Sequence, residues 1–405
     1  MKYLIIVPDG MADYPIPELG NKTPLEYAKT PNIDGLAKEA VIGLVKTIPE
    51  GFAPGSDVAN LSVMGYDPSI YYTGRSPLEA ISMGVKLEES DLTLRCNLVT
   101  LSDDENLEDK IMLDYSAGEI SSGEAKELIG CLQKELGSRE ITFYPGISYR
   151  HVMVWKNASG LKLKLTPPHD ISDRKIDSYL PEGDKANIIL DLIQKSQKIL
   201  KKHPVNKRRR EKGLKEANSI WLWGEGRKPS LNSFQEKYNL NGSVVAAVDL
   251  VKGLGIAAGL RPVLVEGATG SIETNFKGKG EAAINELKKG QDFVYLHIES
   301  PDEASHQGSL EKKIWAIEQI DKEVIGLILS VINEFDDLKI MIMPDHPTPI
   351  SLKTHTAEPV PFMIYDKNNP VSESIRTYNE KYARDGIYFS SGYELMDYFI
   401  KGDKK

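Results

Sequence analysis

The chain is poor in cysteine. Cys96 and Cys131 are the two thiols in 405 residues, and no C-x-x-C pair occurs. This excludes a thiolate metal site and points to a reducing compartment, the cytoplasm. Each cysteine is expected to be a small core residue rather than a nucleophile. Long apolar runs are missing too. No stretch is long enough to span a bilayer, and Pro8-Asp9 interrupts the N-terminal apolar run too early for a secretory segment. Basic charge is not in excess. A formal net charge of −9 argues against a nucleic-acid binder. With 40% hydrophobic and 27% charged residues, the composition is that of a soluble globular protein. The length suffices for two domains.

The informative residues lie at the two ends. Ser300-Pro301-Asp302-Glu303-Ala304-Ser305-His306 places Asp302 and His306 four apart. On a helical turn those side chains face the same way and can share one cation. Asp345-His346 directly follows the apolar run Ile340-Met341-Ile342-Met343. Such a run reads as a buried strand, and in α/β enzymes ligands sit at strand ends. His355 follows nine residues later. Five hard or borderline ligands so close together indicate a metal site, with room for two ions.

The N-terminal part supplies the rest. Tyr3-Leu4-Ile5-Ile6-Val7 reads as a buried strand ending in Pro8-Asp9-Gly10, a carboxylate followed by a residue that lets the chain turn. After Pro54-Gly55, Ser56 is expected at the N-cap of a helix running to about Met64, which Gly65 terminates. Alone, that serine reads as an ordinary cap. A helix N-terminus also favours anions, and a metal beside the hydroxyl would turn it into a nucleophile.

Residues 1–85 and 216–405 alternate strand-like and helix-like segments, which implies a mostly parallel sheet flanked by helices. Ile220-Trp221-Leu222-Trp223 is read as part of this outer texture. Ile314, Ile317, Ile320, Val324, Ile328 and Val331 form a helical stripe over the sheet. Residues 86–215 read as a smaller α+β insertion. The candidate ligands flank it in sequence, so the outer segments form one discontinuous domain. The basic run from Lys198 to Lys215 reads as a solvated helix or linker near the return hinge. Whether Arg209 or Arg210 reaches a phosphate or carboxylate stays open.

Many stretches, in order and over nearly the whole chain, resemble the archaeal-type, cofactor-independent phosphoglycerate mutases of the alkaline phosphatase superfamily. They are Val7-Pro8-Asp9-Gly10-Met11, Thr30-Pro31-Asn32-Ile33-Asp34, Gly55-Ser56-Asp57-Val58-Ala59-Asn60, Tyr72-Thr73-Gly74-Arg75-Ser76-Pro77-Leu78-Glu79-Ala80, Arg95-Cys96-Asn97, Asp114-Tyr115-Ser116-Ala117-Gly118, Tyr149-Arg150-His151, Pro168-His169-Asp170, Pro301-Asp302-Glu303-Ala304-Ser305-His306 and Asp345-His346-Pro347-Thr348-Pro349 through His355-Thr356-Ala357-Glu358-Pro359-Val360-Pro361-Phe362.

The resemblance implies a phosphatase-like domain holding two divalent ions, with an inserted domain closing over the substrate. It implies that Asp9, Ser56, Asp345 and His346 surround one ion, and that Asp302, His306 and His355 hold the other. Carboxylates with imidazoles suit Mn²⁺ first, then Zn²⁺ or Co²⁺, and Mg²⁺ less selectively. Ser56 would carry the phosphoryl group while 3- and 2-phosphoglycerate interconvert, without bisphosphoglycerate. Arg150, His151, His169 and Asp170 would hold the glycerate. Lys252 is a candidate charge near the phosphoryl group, and Arg75 is either structural or substrate-facing. His297 and His203 gain no role. A metal-dependent phosphomonoesterase, or a mutase of another phosphate ester, would share the metal core and differ in the insertion. An inactive metal-binding protein is disfavoured, because none of the seven core ligands is replaced.

Overall fold

Tyr3-Leu4-Ile5-Ile6-Val7 lies within the strand Lys2–Pro8, inside an 8-stranded sheet of the computed structural model. The structure describes residues 1–371 and 377–402. From one edge, the strands are Arg261–Val263, Gly242–Val245, Phe293–Ile298, Lys2–Pro8, Leu338–Ile342, Val360–Asp366, Ala40–Val45 and Ile387–Phe389. Neighbours run parallel except at Val360–Asp366, which is antiparallel to both of its partners.

Side chains alternate across a strand. Leu4 and Ile6 join Val294, Leu296, Ile340 and Ile342 in a core under the helices Pro31–Ala37, Phe276–Lys288 and Leu310–Gln319. On the opposite face, Tyr3 packs edge-on against Phe399 at 5.5 Å, and the Tyr295 hydroxyl reaches Asn60 on the helix Ser56–Val63. Burial on both faces explains why these strands read as continuous apolar runs.

The helical stripe is interrupted. Leu310–Gln319 passes through a π-helical turn, Ile320–Ile325, before Gly326–Val331. At the widened turn, Asp321 caps another helix. Its Oδ1 accepts from the Ile33 amide at 2.7 Å and its Oδ2 from the Asn32 side chain at 2.9 Å, while its carbonyl oxygen accepts from the same Asn32 side chain at 3.2 Å. The Thr30-Pro31-Asn32 motif is therefore structural: Pro31 opens a helix whose first amides are satisfied from a distant carboxylate.

The two compact units are Met1–Tyr72 with Ser230–Lys405, and Thr73–Pro229. The second is built on a 5-stranded antiparallel sheet. Its centre is Leu92–Leu101, a strand not anticipated from the sequence. Leu94, Cys96, Leu98, Met153 and Trp155 pack with Leu128, Leu132, Ile189 and Ile193 of the helices Ser122–Leu136 and Ala186–Leu200. Two expectations differ here. The strand Ser219–Arg227, read as part of the outer domain, pairs with the central strand from Leu92 to Val99 and so belongs to the insertion. The helix Ser76–Ser82 also falls within it, which moves the boundaries outward from 86–215.

The basic run folds as the helix Pro204–Glu211. Arg209 is buried, and its guanidinium donates to the carbonyls of Lys215 and Ala117 and to Glu124. Arg210 pairs with Glu216. Both arginines serve the insertion's own structure. Cys96 is a buried free thiol, as expected. Among the described residues, no helix is long and apolar enough to cross a membrane.

Replacing Asp321 with Ala would strand the amides that it caps. The loss expected is about 1–3 kcal/mol for buried donors left unsatisfied, read as a lower urea midpoint at unchanged slope. An unchanged midpoint would show that the cap contributes nothing.

Candidate active site

All the candidate ligands lie beyond the carboxyl ends of strands in one sheet, where open α/β sheets place their crevice. Asp9 follows Lys2–Pro8 directly. Phe293–Ile298 leads into the helix Ser300–His306, which carries Asp302 and His306. Asp345 and His346 follow Leu338–Ile342, and His355 precedes Val360–Asp366. Ser56 opens the helix after Ala40–Val45. Gly10 is required for close approach. It has φ +61°, and a Cβ there would sit 2.5 Å from both Asp302 Oδ1 and Thr348 Oγ1.

The ligand atoms converge in two overlapping groups, Asp9/Asp345/His346 and Asp302/His346/His355, each within 4.8 Å. His346 Nε2 lies 3.6 Å from Asp9 Oδ1, 3.5 Å from Asp345 Oδ2 and 3.1 Å from Ser56 Oγ. His306 Nε2 lies 3.1 Å from Asp302 Oδ2 and 3.0 Å from His355 Nε2. His306 Nδ1 meets the Lys353 carbonyl at 3.0 Å, which places a proton on Nδ1 and leaves Nε2 facing the cluster. Asp9, Asp302, Asp345 and His346 are buried, whereas Ser56, His306 and His355 are partly exposed. The site has a buried floor and an open mouth.

Ser56 is not the cap expected from the sequence. Gly55 holds the cap position and Ser56 is the first helical residue. Its hydroxyl points to His346 rather than back to the helix.

The charges suit a cation. Burial pushes the Asp9 carboxyl well up, and the neighbouring Asp345 and Asp302 push it further. Asp9 Oδ1 is buried without a hydrogen-bond partner. Burial also opposes ionisation of Asp302, but hydrogen bonds from His306 and His355 hold it well below the usual carboxylate range. Burial lowers the His346 pKa, keeping its imidazole neutral, as a ligand must be. These residues fit two divalent cations. Asp9, Ser56, Asp345 and His346 could hold one, and Asp302, His306 and His355 the other, with His346 between them.

Several supporting residues escaped the sequence reading. His297 is fully buried, with Nε2 3.4 Å from Asp9 and Nδ1 3.4 Å from Glu299. Burial would raise the Glu299 pKa, but Lys279, 2.5 Å away and itself buried, brings it to about 2. Glu299 also accepts from the amides of Ala247 and Val248, which lead into the helix Asp249–Ala257. That helix carries Lys252, which lies 2.8 Å from Asp249. Asn60 donates to Asp345 at 2.7 Å. Thr348 donates to Asp302 at 2.6 Å. Their one available signal is polarity inside otherwise apolar segments, which does not reveal a partner distant in sequence.

The insertion has a cluster of its own. Arg75 and Arg95 each lie 3.0 Å from Glu79. The Arg95 guanidinium sits 4.3 Å from the Trp223 ring centre, and His169 stacks edge-on against the same ring at 5.2 Å. Tyr115 and Tyr149 continue the wall to Arg150, whose guanidinium is 5.4 Å from the Tyr149 ring. Burial lowers the Arg95 pKa; Glu79 opposes this, and Arg75 and Arg150 add to it. Arg95 and Asn97 alternate with Leu94, Cys96 and Leu98 on one strand, a spacing of two that marks a polar face. Asp170 is exposed beside His169. His151 does not join this wall. It is buried, accepts from the Gly146 amide, and burial lowers its pKa to about 3. As the neighbour of Arg150 on one strand, it points to the other face, the insertion's core.

A cluster of carboxylates and imidazoles beside a freed serine hydroxyl, at the strand ends of a mostly parallel sheet, defines an α/β enzyme site. The comparisons with known proteins specify it further. Residues 37–206 match the family described as 2,3-bisphosphoglycerate-independent phosphoglycerate mutase. A mutase of that name from Methanosarcina barkeri is 50% identical over 387 residues, covering 95% of this chain and 96% of its own. A probable one from Geobacter sulfurreducens is 49% identical over 401 residues, covering 99% and 100%. The solved cofactor-independent phosphoglycerate mutase of Thermoplasma acidophilum superposes with a TM-score of 0.67 at 26% identity, covering 99% of each chain. The chain belongs to the 2,3-bisphosphoglycerate-independent phosphoglycerate mutases, a family of isomerases.

Cation loading at these groups is expected to release protons. The hydrogen bond to Asp302 raises the His306 pKa to about 9. At pH 7 the ring is therefore protonated and must lose a proton before its Nε2 can bind a metal. Apparent Mn²⁺ affinity should rise between pH 7 and 9, and the calorimetric heat should depend on the buffer's ionisation enthalpy. Buffer-independent heat at pH 7 would contradict this.

Proposed function

We propose that this chain interconverts 3- and 2-phosphoglycerate through a phosphoserine at Ser56, without bisphosphoglycerate, as a cytoplasmic step of glycolysis and gluconeogenesis. The observation that carries the reading is the Ser56 hydroxyl. It is released from helix capping and held 3.1 Å from His346 at the mouth of the carboxylate and imidazole cluster. Two divalent cations, Mn²⁺ by preference, would neutralise the phosphoryl dianion and lower the serine pKa.

The chain's own groups do the rest. Ser56 Oγ, as the alkoxide, forms the bond to phosphorus as the bond to the glycerate oxygen breaks, and that oxygen takes up the proton the serine lost. The glycerate then turns and accepts the phosphoryl group on its other hydroxyl. Throughout, it must stay bound and water must stay out. The insertion's wall suits the binding task. Arg95 and Arg150, with Arg75 beside Glu79, bring cationic groups to this wall that suit the glycerate carboxylate. His169 and Asp170 are candidates for its hydroxyls. Lys252 is a candidate charge for the phosphoryl group.

A phosphomonoesterase would need the metal cluster but not this wall. Arg150→Ala separates the two readings. A bidentate clamp on a carboxylate contributes about 1.5–3 kcal/mol. Isomerisation, followed by coupling to enolase, should fall roughly ten- to a hundredfold. Release of inorganic phosphate from 3-phosphoglycerate should persist or rise. A proportional loss of both activities, or no loss of either, would remove Arg150 from glycerate binding.

A further inference from the structure

The Thr348 hydroxyl is fully buried between the two groups of candidate ligands. It donates to Asp302 Oδ1 at 2.6 Å and lies 3.2 Å from His346 Nδ1. A hydroxyl carries one proton, and an ionised carboxylate only accepts. With that proton directed to Asp302, Thr348 Oγ1 can act only as an acceptor toward His346. The ring must then carry its proton on Nδ1. The Nε2 lone pair is left facing Ser56, Asp9 and Asp345. The same hydroxyl takes one lone pair of Asp302 Oδ1, which also faces His355 Nε2 at 3.5 Å, while Oδ2 faces His306, 3.1 Å away.

We propose that Thr348 is a positioning residue that serves both halves of the site at once, fixing the His346 tautomer and the orientation of the Asp302 carboxylate, so that its hydroxyl strengthens loading at both metal positions. This rests on the metal reading given above. Its surroundings hold the residue in place. The Thr348 amide donates to the Ala12 carbonyl at 3.1 Å, and its carbonyl accepts from the buried Lys313 ammonium at 3.0 Å. Lys313 is itself held by Asp13 at 2.8 Å. Gly10 packs so close to the hydroxyl that a Cβ would lie within 2.5 Å of it. Valine in its place would keep the shape and lose both hydrogen bonds.

The test is a calorimetric titration of metal-free protein with Mn²⁺. Outer partners of metal ligands typically change affinity by about 10–100-fold. Thr348→Val should weaken loading by that factor at both positions, and Thr348→Ser should restore it. Ring-nitrogen NMR of metal-free protein gives a second readout. His346 should appear as the Nδ1–H tautomer in wild type and Thr348→Ser, and as a mixture in Thr348→Val. If Thr348→Val does not fold, Thr348→Ala replaces it, with the same loss expected. Two Mn²⁺ bound with wild-type affinity by the hydroxyl-free variant would overturn the proposal. So would a serine variant as impaired as valine, because packing of the methyl group would then explain the effect. Wild-type protein that binds no Mn²⁺ would sink the metal reading itself, a result distinguishable from both.

Discussion

Like charge gathered at the ends of neighbouring strands is the constraint on which this structure depends. Asp9, Asp302 and Asp345 are buried together. Two like charges about 4 Å apart repel by roughly 4 kcal/mol at an effective dielectric constant of about 20. Native stability is only about 5–15 kcal/mol, so such a cluster cannot be left uncompensated. In the chain itself, His306, His346 and His355 stand between the carboxylates, and the Asp9 carboxyl is driven toward protonation. A pair of divalent cations would relieve the same repulsion without protons. The parallel sheet makes the cluster possible because it brings residues from both ends of the sequence to one edge of the fold.

A second tier holds the first. Asn60, tied to Tyr295 below it, steadies Asp345. His297 stands between Asp9 and the buried Glu299–Lys279 pair. Lys313 joins the loop after Asp9 to the loop after His346 through Asp13, Ala12 and Thr348. Buried ions like Lys279 and Lys313 are costly to desolvate, and breaking such a pair by removing one partner is strongly destabilising. Their placement ties the geometry of the ligand loops to the stability of the fold.

The parts legible in sequence were those with local signatures. Asp302 and His306 share a helical face because they are four apart, and Asp9 and Asp345 each follow an apolar run that became a strand. The parallel sheet followed from the alternation of segments. The rest depended on partners far apart in the chain. The central strand of the insertion, Leu92–Leu101, mixes Thr93, Arg95 and Asn97 with apolar residues, and its role appears only when Ser219–Arg227 pairs along it. Arg209 looked like a solvated cation until the Ala117 and Lys215 carbonyls closed around it. Ser56 has the residue type and setting of a cap, yet the backbone starts the helix one residue earlier, and that shift frees its hydroxyl.

The most direct test of this account is to locate the phosphoryl group during turnover. Manganese-loaded enzyme, mixed with 3-phosphoglycerate and quenched in acid within a turnover, should yield one modified peptide on mass mapping. The added mass should be that of a single phosphoryl group, and fragmentation should place it on Ser56. The Ser56→Ala protein should retain its fold, accumulate no modified peptide and form no 2-phosphoglycerate. A phosphoryl group on another residue, or normal isomerisation by Ser56→Ala, would contradict the account.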